Sequence, residues 1–357
     1  MKIAYIPFSK KRRDSGYEQR HILLYAKLKN LDIERYDDTK DYGVVVLPPT
    51  HDVTDLSVFK NEKVKIVYQL VDDYLSESKT GFRRTLRGPL RWLLGESKHL
   101  SFDYTNSQRI LCQKAHAIVC SSEIQFNRIK KVNPNVHMLF EGNFHNLQTV
   151  KTDFNIGSTV RLVWEGRAEN MYSFEVITEM FDILSEKLKV ELHIITDLNY
   201  PSILGLYLKK WTAKRVKSIF KEKFSENTII RESRVFLHQW NKGLVSPMIQ
   251  SCDLAIIPIN ENYTIQTGKS MNKLIVMLRN GIPALCTNIR SYETISKEAD
   301  LDLCCGTTSE WVEKSLKLIG SLELRKKNSE KGLSYVNEKY SQQKFIDQWD
   351  GVFESLK

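Results

Sequence analysis

Short runs of valine, isoleucine and leucine recur along this chain, and most are followed by a stretch with helical periodicity. In the first half the runs are KIAYIP (Lys2–Pro7), YGVVVLP (Tyr42–Pro48), VKIVYQLV (Val64–Val71), HAIVC (His116–Cys120) and NVHMLF (Asn135–Phe140). The pattern lapses from about Glu141 to Ser158, where the chain turns polar and contains glycine and asparagine. It restarts with VRLVWEG (Val160–Gly166), VELHIIT (Val190–Thr196), RVFLH (Arg234–His238), DLAIIPI (Asp253–Ile259) and IPALC (Ile282–Cys286), and helices dominate from Glu310. Alternation of this kind predicts parallel sheets covered by helices. Two blocks of it predict an α/β protein of two doubly wound Rossmann-like domains, 1–150 and 151–340, followed by a last helix, 341–357. Ligands of such sheets bind beyond the carboxyl ends of strands, so the expected site is an interdomain cleft. At 357 residues the chain also exceeds what one ordinary core organises.

The apolar runs fall far short of the roughly 20 residues of a membrane span. At the N-terminus the basic residues follow the apolar run, the reverse of a secretory signal. The six cysteines show no CxxC pair and no metal-ligand spacing, so a reduced, cytoplasmic protein is expected.

The net charge of +10 favours an anionic partner. Between Lys79 and Leu94 stand Lys79, Arg83, Arg84, Arg87 and Arg91 without an acid, interleaved with Phe82, Leu86, Leu90, Trp92, Leu93 and Leu94. Gly88-Pro89 is expected to break or kink that segment. Leu206 to Lys223 carries seven basic residues and one acid around Trp211, Ile219 and Phe220. Each stretch reads either as a basic amphipathic element on an anionic membrane surface or as a solvated helix face. Neither carries a nucleic-acid motif or a repeated stacking pattern.

TGKSMNK (Thr267–Lys273) resembles the end of a phosphate loop, but Tyr263 stands where such a loop needs its first glycine. A helix from about Lys269 to Asn280 would bury Met271, Leu274, Ile275 and Leu278. Lys269, Asn272 and Lys273 would then share another face near the positive end of the helix dipole. Two lysines there repel each other and the dipole, and a bound polyanion reverses both effects. Gly166-Arg167 ends the first strand of the second half, where glycine lets a backbone approach a ligand and arginine grips phosphate. Trp240, after RVFLHQ, can stack on a nucleobase or serve as a core aromatic.

These segments resemble the donor domain of GT-B glycosyltransferases, in particular the bacterial "glycosyl transferases group 1" type of cell-surface polysaccharide synthesis. The matching residues are Trp164-Glu165-Gly166-Arg167, ELHIITD (Glu191–Asp197), Cys252-Asp253 with LAIIPI, GKSMNKLI (Gly268–Ile275) and NGIPALCTNIRSYE (Asn280–Glu293). CQKAHAIVCSSEIQFNRI (Cys112–Ile129), NVHMLFEGN (Asn135–Asn143) and SQQKFIDQWDGVFESL (Ser341–Leu356) resemble the first domain, the strand into the linker and the helix that crosses back. The resemblance implies that 1–150 binds the acceptor and 151–340 a nucleotide-sugar donor. It gives the donor diphosphate to Arg167, Lys269 and Lys273, with Ser270 and Asn272 beside them, and the base to Trp240. The chain departs from the pattern where relatives carry two glutamates eight apart, since Gly268 and Val276 occupy those positions.

Asp72 and Asp73 follow the VKIVYQLV strand, so either could act as the base on the acceptor, with His51 as rival. Gly16 and Tyr17 are expected to shape the acceptor pocket. Asp300-Leu301-Asp302 spells a metal-binding DxD, but its late position reads as incidental. Cations on the protein can stabilise a departing nucleoside diphosphate without a metal. The expected function is a metal-independent, cofactor-free glycosyltransferase. It would act on a glycan or lipid-linked acceptor as a peripheral protein at the inner face of a membrane. A nucleotide-sugar epimerase of the same fold and a basic nucleic-acid-binding protein are the alternatives.

Overall fold

The computed structural model describes residues 2–8, 16–72, 75, 82–144, 149–201, 209–224, 234–262 and 268–357, and for 82–87, 201, 221–224 and 234 the main chain alone. Asp73, Lys79, Leu206 and Leu208 lie outside the described residues, as do the side chains of Phe82, Arg83, Arg84, Leu86 and Arg87. The chain divides into two compact units. Unit 1 comprises Met1–Asn143, Thr264–Ser270 and Tyr340–Lys357; unit 2 comprises Phe144–Tyr263 and Met271–Lys339.

Among its described residues, unit 1 holds a parallel sheet of β1 (Ile3–Tyr5), β2 (Ile33–Arg35), β3 (Val44–Leu47), β4 (Lys65–Gln69), β5 (Ala117–Cys120) and β6 (Val136–Met138) in the order β2-β1-β3-β4-β5-β6. β3 and β5 are buried along their whole length, which is why they read as continuous apolar runs rather than alternating ones. The helices are α1 (Ile22–Lys29), α2 (Phe82–Leu93), α3 (Tyr104–Lys114) and α4 (Glu123–Ile129). The last helix, Gln342–Glu354, belongs to this unit: Tyr25 Oη donates to Asp350 Oδ1 at 2.6 Å, and Phe345 and Trp349 are buried.

Unit 2 holds, among its described residues, a second parallel sheet of β7 (Val160–Glu165), β8 (Val190–Thr196), β11 (Arg234–Gln239), β12 (Leu254–Ile257), β13 (Ala284–Thr287) and β14 (Cys304–Cys305). Its order is β11-β8-β7-β12-β13-β14, with a separate antiparallel pair, β9 (Asn199–Pro201) and β10 (Lys209–Trp211). The helices are α5 (Thr178–Lys187), α6 (Thr212–Phe224), α7 (Val245–Gln250), α8 (Asn272–Arg279), α9 (Arg290–Glu298), α10 (Thr308–Gly320) and α11 (Leu322–Lys339). Leu162, Trp164, Phe174, Phe181, Leu192, Ile194, Ile256 and Trp311 form its core. No helix among the described residues is long and apolar enough to cross a membrane.

Each sheet reverses its direction of growth once. In unit 1 the chain steps from β1 out to β2 and returns to β3 on the other side of β1. In unit 2 it steps from β7 through β8 to β11 and returns to β12 on the other side of β7. Loops diverge at such a reversal and leave a crevice outside the carboxyl ends of the two strands, where ligands of this architecture bind.

Two local expectations are corrected. α2 runs through Gly88-Pro89 without a break. A Cβ at Gly88 would lie 1.7 Å from the carbonyl oxygen of Ser101, so the glycine lets the helix cross that backbone. The helix expected from Lys269 begins at Asn272, because Gly268 and Lys269 are engaged in unit 1. β2 and α3 were not foreseen. β2 is three residues long at the sheet edge and only Ile33 in it is buried, so it lacks the apolar run that marked its neighbours.

Candidate active site

In unit 2 the reversal lies between β7 and β12, and the segments that follow these two strands are those singled out in the sequence. β7 ends in Trp164-Glu165, followed by Gly166-Arg167. The Trp164 side chain is buried in the core against Phe174 (ring centroids 5.1 Å apart). The ammonium of Lys273 lies over the Trp164 ring, 4.6 Å from its centroid. That is cation–π distance, and the interaction strengthens as the pair is desolvated. Gly166 makes the approach possible. A Cβ there would stand 2.5 Å from Lys273 Nζ and 2.9 Å from Trp164 Cζ2. The glycine thus admits a protein cation to the strand end.

Lys273 is the second residue of α8, whose N-cap residue, Met271, makes no side-chain cap. A helix N-terminus carries partial positive charge and converging N–H donors. Asn272 opens the same turn and is buried. Arg167 is largely exposed at the other lip and pairs with Glu169 at 2.9 Å, a surface contact of little energetic weight. Trp240 follows β11 and is half-buried; its indole Nε1 donates to Glu165 Oε1 at 3.0 Å. This bond ties the carboxyl end of β7 to the residue after β11. Gly166, Arg167, Asn272, Lys273 and Trp240 therefore gather at the carboxyl edge of one sheet.

Lys269 and Ser270 belong to unit 1, ahead of α8. Lys269 Nζ lies 2.6 Å from Asp72 Oδ1, three residues past β4. The neighbouring carbonyl of Gly268 accepts from Ser122 Oγ at 2.9 Å, while Ser122 caps α4. The loop that carries Asp72 is fixed by two side chains on Val71: Ser121 Oγ and Gln125 Nε2 donate to its carbonyl at 3.0 and 2.9 Å. Gln125 is fully buried and also accepts from the Ser121 N–H at 2.8 Å. Ser122-x-x-Gln125 is a capping-box pattern, the one local sign in the sequence that pointed to this glutamine.

At the unit 1 reversal, beyond β1 and β3, the structure places Gly16, Tyr17 and His51. His51 is buried and its Nε2 lies 3.0 Å from the Asp55 carbonyl, within its own loop. Tyr17 is buried against Phe8 and His21, with ring centroids 5.6 and 4.3 Å away. Burial, reinforced by Glu141, holds its hydroxyl well above the usual tyrosine range. His21 went unnoticed in the sequence. It is buried, and neither ring nitrogen has a hydrogen-bond partner among the described residues. Burial lowers it to about 4; Glu141 opposes the shift and Arg20 adds to it.

The Asp300-Leu301-Asp302 carboxylates are used separately. Asp300 takes a left-handed backbone (φ 50°) after α9 and pairs with Lys331, while Asp302 pairs with Lys314. Asp300 thus closes a helix, a position short polar residues tolerate. Among the described residues no group of three His, Cys, Asp or Glu side chains could hold a metal ion.

No protein-family model matches this sequence, and no curated protein matches it significantly. Solved structures do. Anabaena Alr3699/HepE, solved in complex with UDP, aligns with a TM-score of 0.67 at 10% identity over 99% of this chain and 100% of that one. The fold is GT-B. A mutant of S. aureus TarM, in complex with fondaparinux, alpha-GlcNAc-glycerol and UDP, aligns at 0.58 with 12% identity over 87% of this chain and 55% of that one. A second TarM structure gives 0.59, 12%, 87% and 54%. This chain thus spans about half the length of TarM. At such identities the likeness establishes the fold alone.

Proposed function

We propose that this protein is a glycosyltransferase that moves a sugar from a nucleoside-diphosphate sugar to a glycan or lipid-linked acceptor in bacterial surface polysaccharide synthesis. The observation that carries the reading is Lys273 held over Trp164 across Gly166, in the first turn of α8 at the unit 2 reversal. A half-buried cation beside the first turn of a helix at one strand end suits a diphosphate better than a neutral ligand. The solved HepE and TarM complexes containing UDP support the same reading.

In this reading Lys273, Arg167 and the first turn of α8 hold the diphosphate and stabilise the charge that develops on it as the glycosidic bond breaks. Trp240, fixed through Glu165, offers a ring face to the base. Lys269 and Ser270, just ahead of α8 in the chain, belong to unit 1, where Lys269 pairs with Asp72. On the acceptor side Asp72 or Asp73 takes the hydroxyl proton. His51 is the weaker candidate, since its Nε2 already faces a carbonyl of its own loop. Gly16 and Tyr17 line the acceptor region. No step calls for a metal or a cofactor, and the enzyme works at the inner face of the membrane.

The test is a thermal-shift screen against UDP, dTDP, GDP, CDP, ADP and CMP, followed by assay of sugar release from the matching nucleotide sugars. A ligand of the folded state raises stability by mass action. One nucleoside diphosphate should stabilise the protein and its sugar conjugate should turn over. Stabilisation by duplex nucleic acid with none by any nucleotide would refute the proposal.

A further inference from the structure

Six of the thirteen large hydrophobic side chains exposed among the described residues fall in one stretch of unit 1: Leu90, Trp92, Leu93, Leu94, Leu100 and Phe102, between 46 and 76% exposed. The remainder are scattered along the chain. We propose that this stretch is a membrane-docking element that inserts its apolar side chains into an anionic lipid surface.

The element is held in place, so its exposure is not the looseness of a dangling segment. α2 ends in a tight turn: Leu94 N–H reaches the Leu90 carbonyl at 3.0 Å and Gly95 N–H the Trp92 carbonyl at 3.0 Å. Gly95 has φ +70°, a left-handed value that favours glycine. The chain then returns along the helix, with Ser101 against Gly88. Arg91, whose guanidinium lies 5.2 Å from the Tyr104 ring centroid and beside Glu96, joins the helix to that return. Lys98 Nζ reaches Asp55 at 3.1 Å, and the His99 N–H reaches Thr54 Oγ1 at 3.1 Å, anchoring the return to the loop after β3. Tryptophan and leucine are thus displayed on a fixed turn.

Charge selects the occupant. Residues 79–102 contain Lys79, Arg83, Arg84, Arg87, Arg91 and Lys98 against Glu96 alone. An apolar tip with tryptophan, flanked by cations, matches the interface of an anionic bilayer, where leucine enters the acyl boundary and basic side chains meet headgroups. A second copy of the chain fits poorly, since a twofold contact here would set cationic stretch against cationic stretch. Docking would bring lipid-linked acceptors to unit 1, a consequence that rests on the transferase reading; the docking itself does not.

The test is co-sedimentation of the full chain with vesicles of phosphatidylglycerol and phosphatidylcholine, and with pure phosphatidylcholine, at low and high salt. The parent should bind the anionic vesicles, bind pure phosphatidylcholine weakly, and release in high salt. Leu93→Ser/Leu94→Ser/Phe102→Ser and, separately, Arg83→Ser/Arg84→Ser/Arg87→Ser should each bind at least about tenfold more weakly. Should the apolar variant misfold, the arginine variant still decides. A parent that ignores anionic vesicles, or variants that bind as it does, would overturn the proposal. So would a parent that dimerises through this stretch in sedimentation velocity while binding no vesicle.

Discussion

The ammonium of Lys269 lies 2.6 Å from the carboxylate of Asp72, across 197 residues of chain, with each side chain about a quarter exposed. The sequence suggested opposite duties for the two, one as a phosphate ligand and the other as a proton acceptor. Their pairing gives Lys269 an anionic partner within the protein and gives Asp72 a fixed position beyond β4. Stability measured for Lys269→Ala, Asp72→Asn and the double variant should show coupling of roughly 1 kcal/mol, as expected for a half-buried pair in contact. Strictly additive losses would mean that the contact carries no energy.

Gly166 is predicted to be intolerant of even a methyl group. Gly166→Ala puts a carbon where Lys273 Nζ and the edge of Trp164 now stand. The lysine can swing away, but the buried indole cannot. Nucleoside-diphosphate affinity should drop about as far as in Lys273→Ala, and combining the two changes should add little. A Gly166→Ala protein with unchanged nucleotide affinity would show that the cation's placement does not matter.

Acid should destabilise the protein through His21. Its folded value of about 4 lies below the ordinary 6.5, so the folded state keeps it neutral. Above about pH 6.5 neither folded nor unfolded chain carries that proton, and there is no penalty. As pH falls from 6.5 towards 4, the unfolded chain takes up a proton that the folded chain refuses, and stability declines. At about 1.4 kcal/mol per unit the loss is on the order of 3 kcal/mol. Denaturation of His21→Phe should show a flatter decline over that window than the parent. Parallel pH profiles for the two would rule His21 out as the source.

Transfer should survive chelation. Asp300 and Asp302 are each engaged by their own lysine, and cationic side chains supply the charge that a metal would otherwise provide. Activity that vanishes with EDTA and returns with magnesium or manganese would reassign Asp72 and Asp73 as metal ligands.

The architecture was legible because buried parallel strands leave unmistakable runs such as Val44–Leu47 and Leu254–Ile257. The gathering of Gly166, Lys273 and Trp240 in unit 2 was legible in part, because all three follow such strands. The start of α8 was misread because the helical spacing of Met271, Leu274 and Ile275 extends backwards through Lys269 with no local stop. What holds Gly268 and Lys269 out of the helix is Ser122 and Asp72, 146 and 197 residues away. Gly88-Pro89 misled in the opposite direction: the glycine answers to the Ser101 backbone, not to a turn. His21 left no trace at all, since a histidine inside an apolar cluster has no pattern of its own.

Lys273 as a diphosphate ligand is tested most directly by calorimetric titration of UDP, and of the diphosphate that the screen selects, into the parent and Lys273→Ala proteins. The parent should show one saturable site and the variant at least about a tenfold loss of affinity, with cooperative unfolding retained. Equal affinity in the two proteins, or no binding of any nucleoside diphosphate to the parent, would contradict that role.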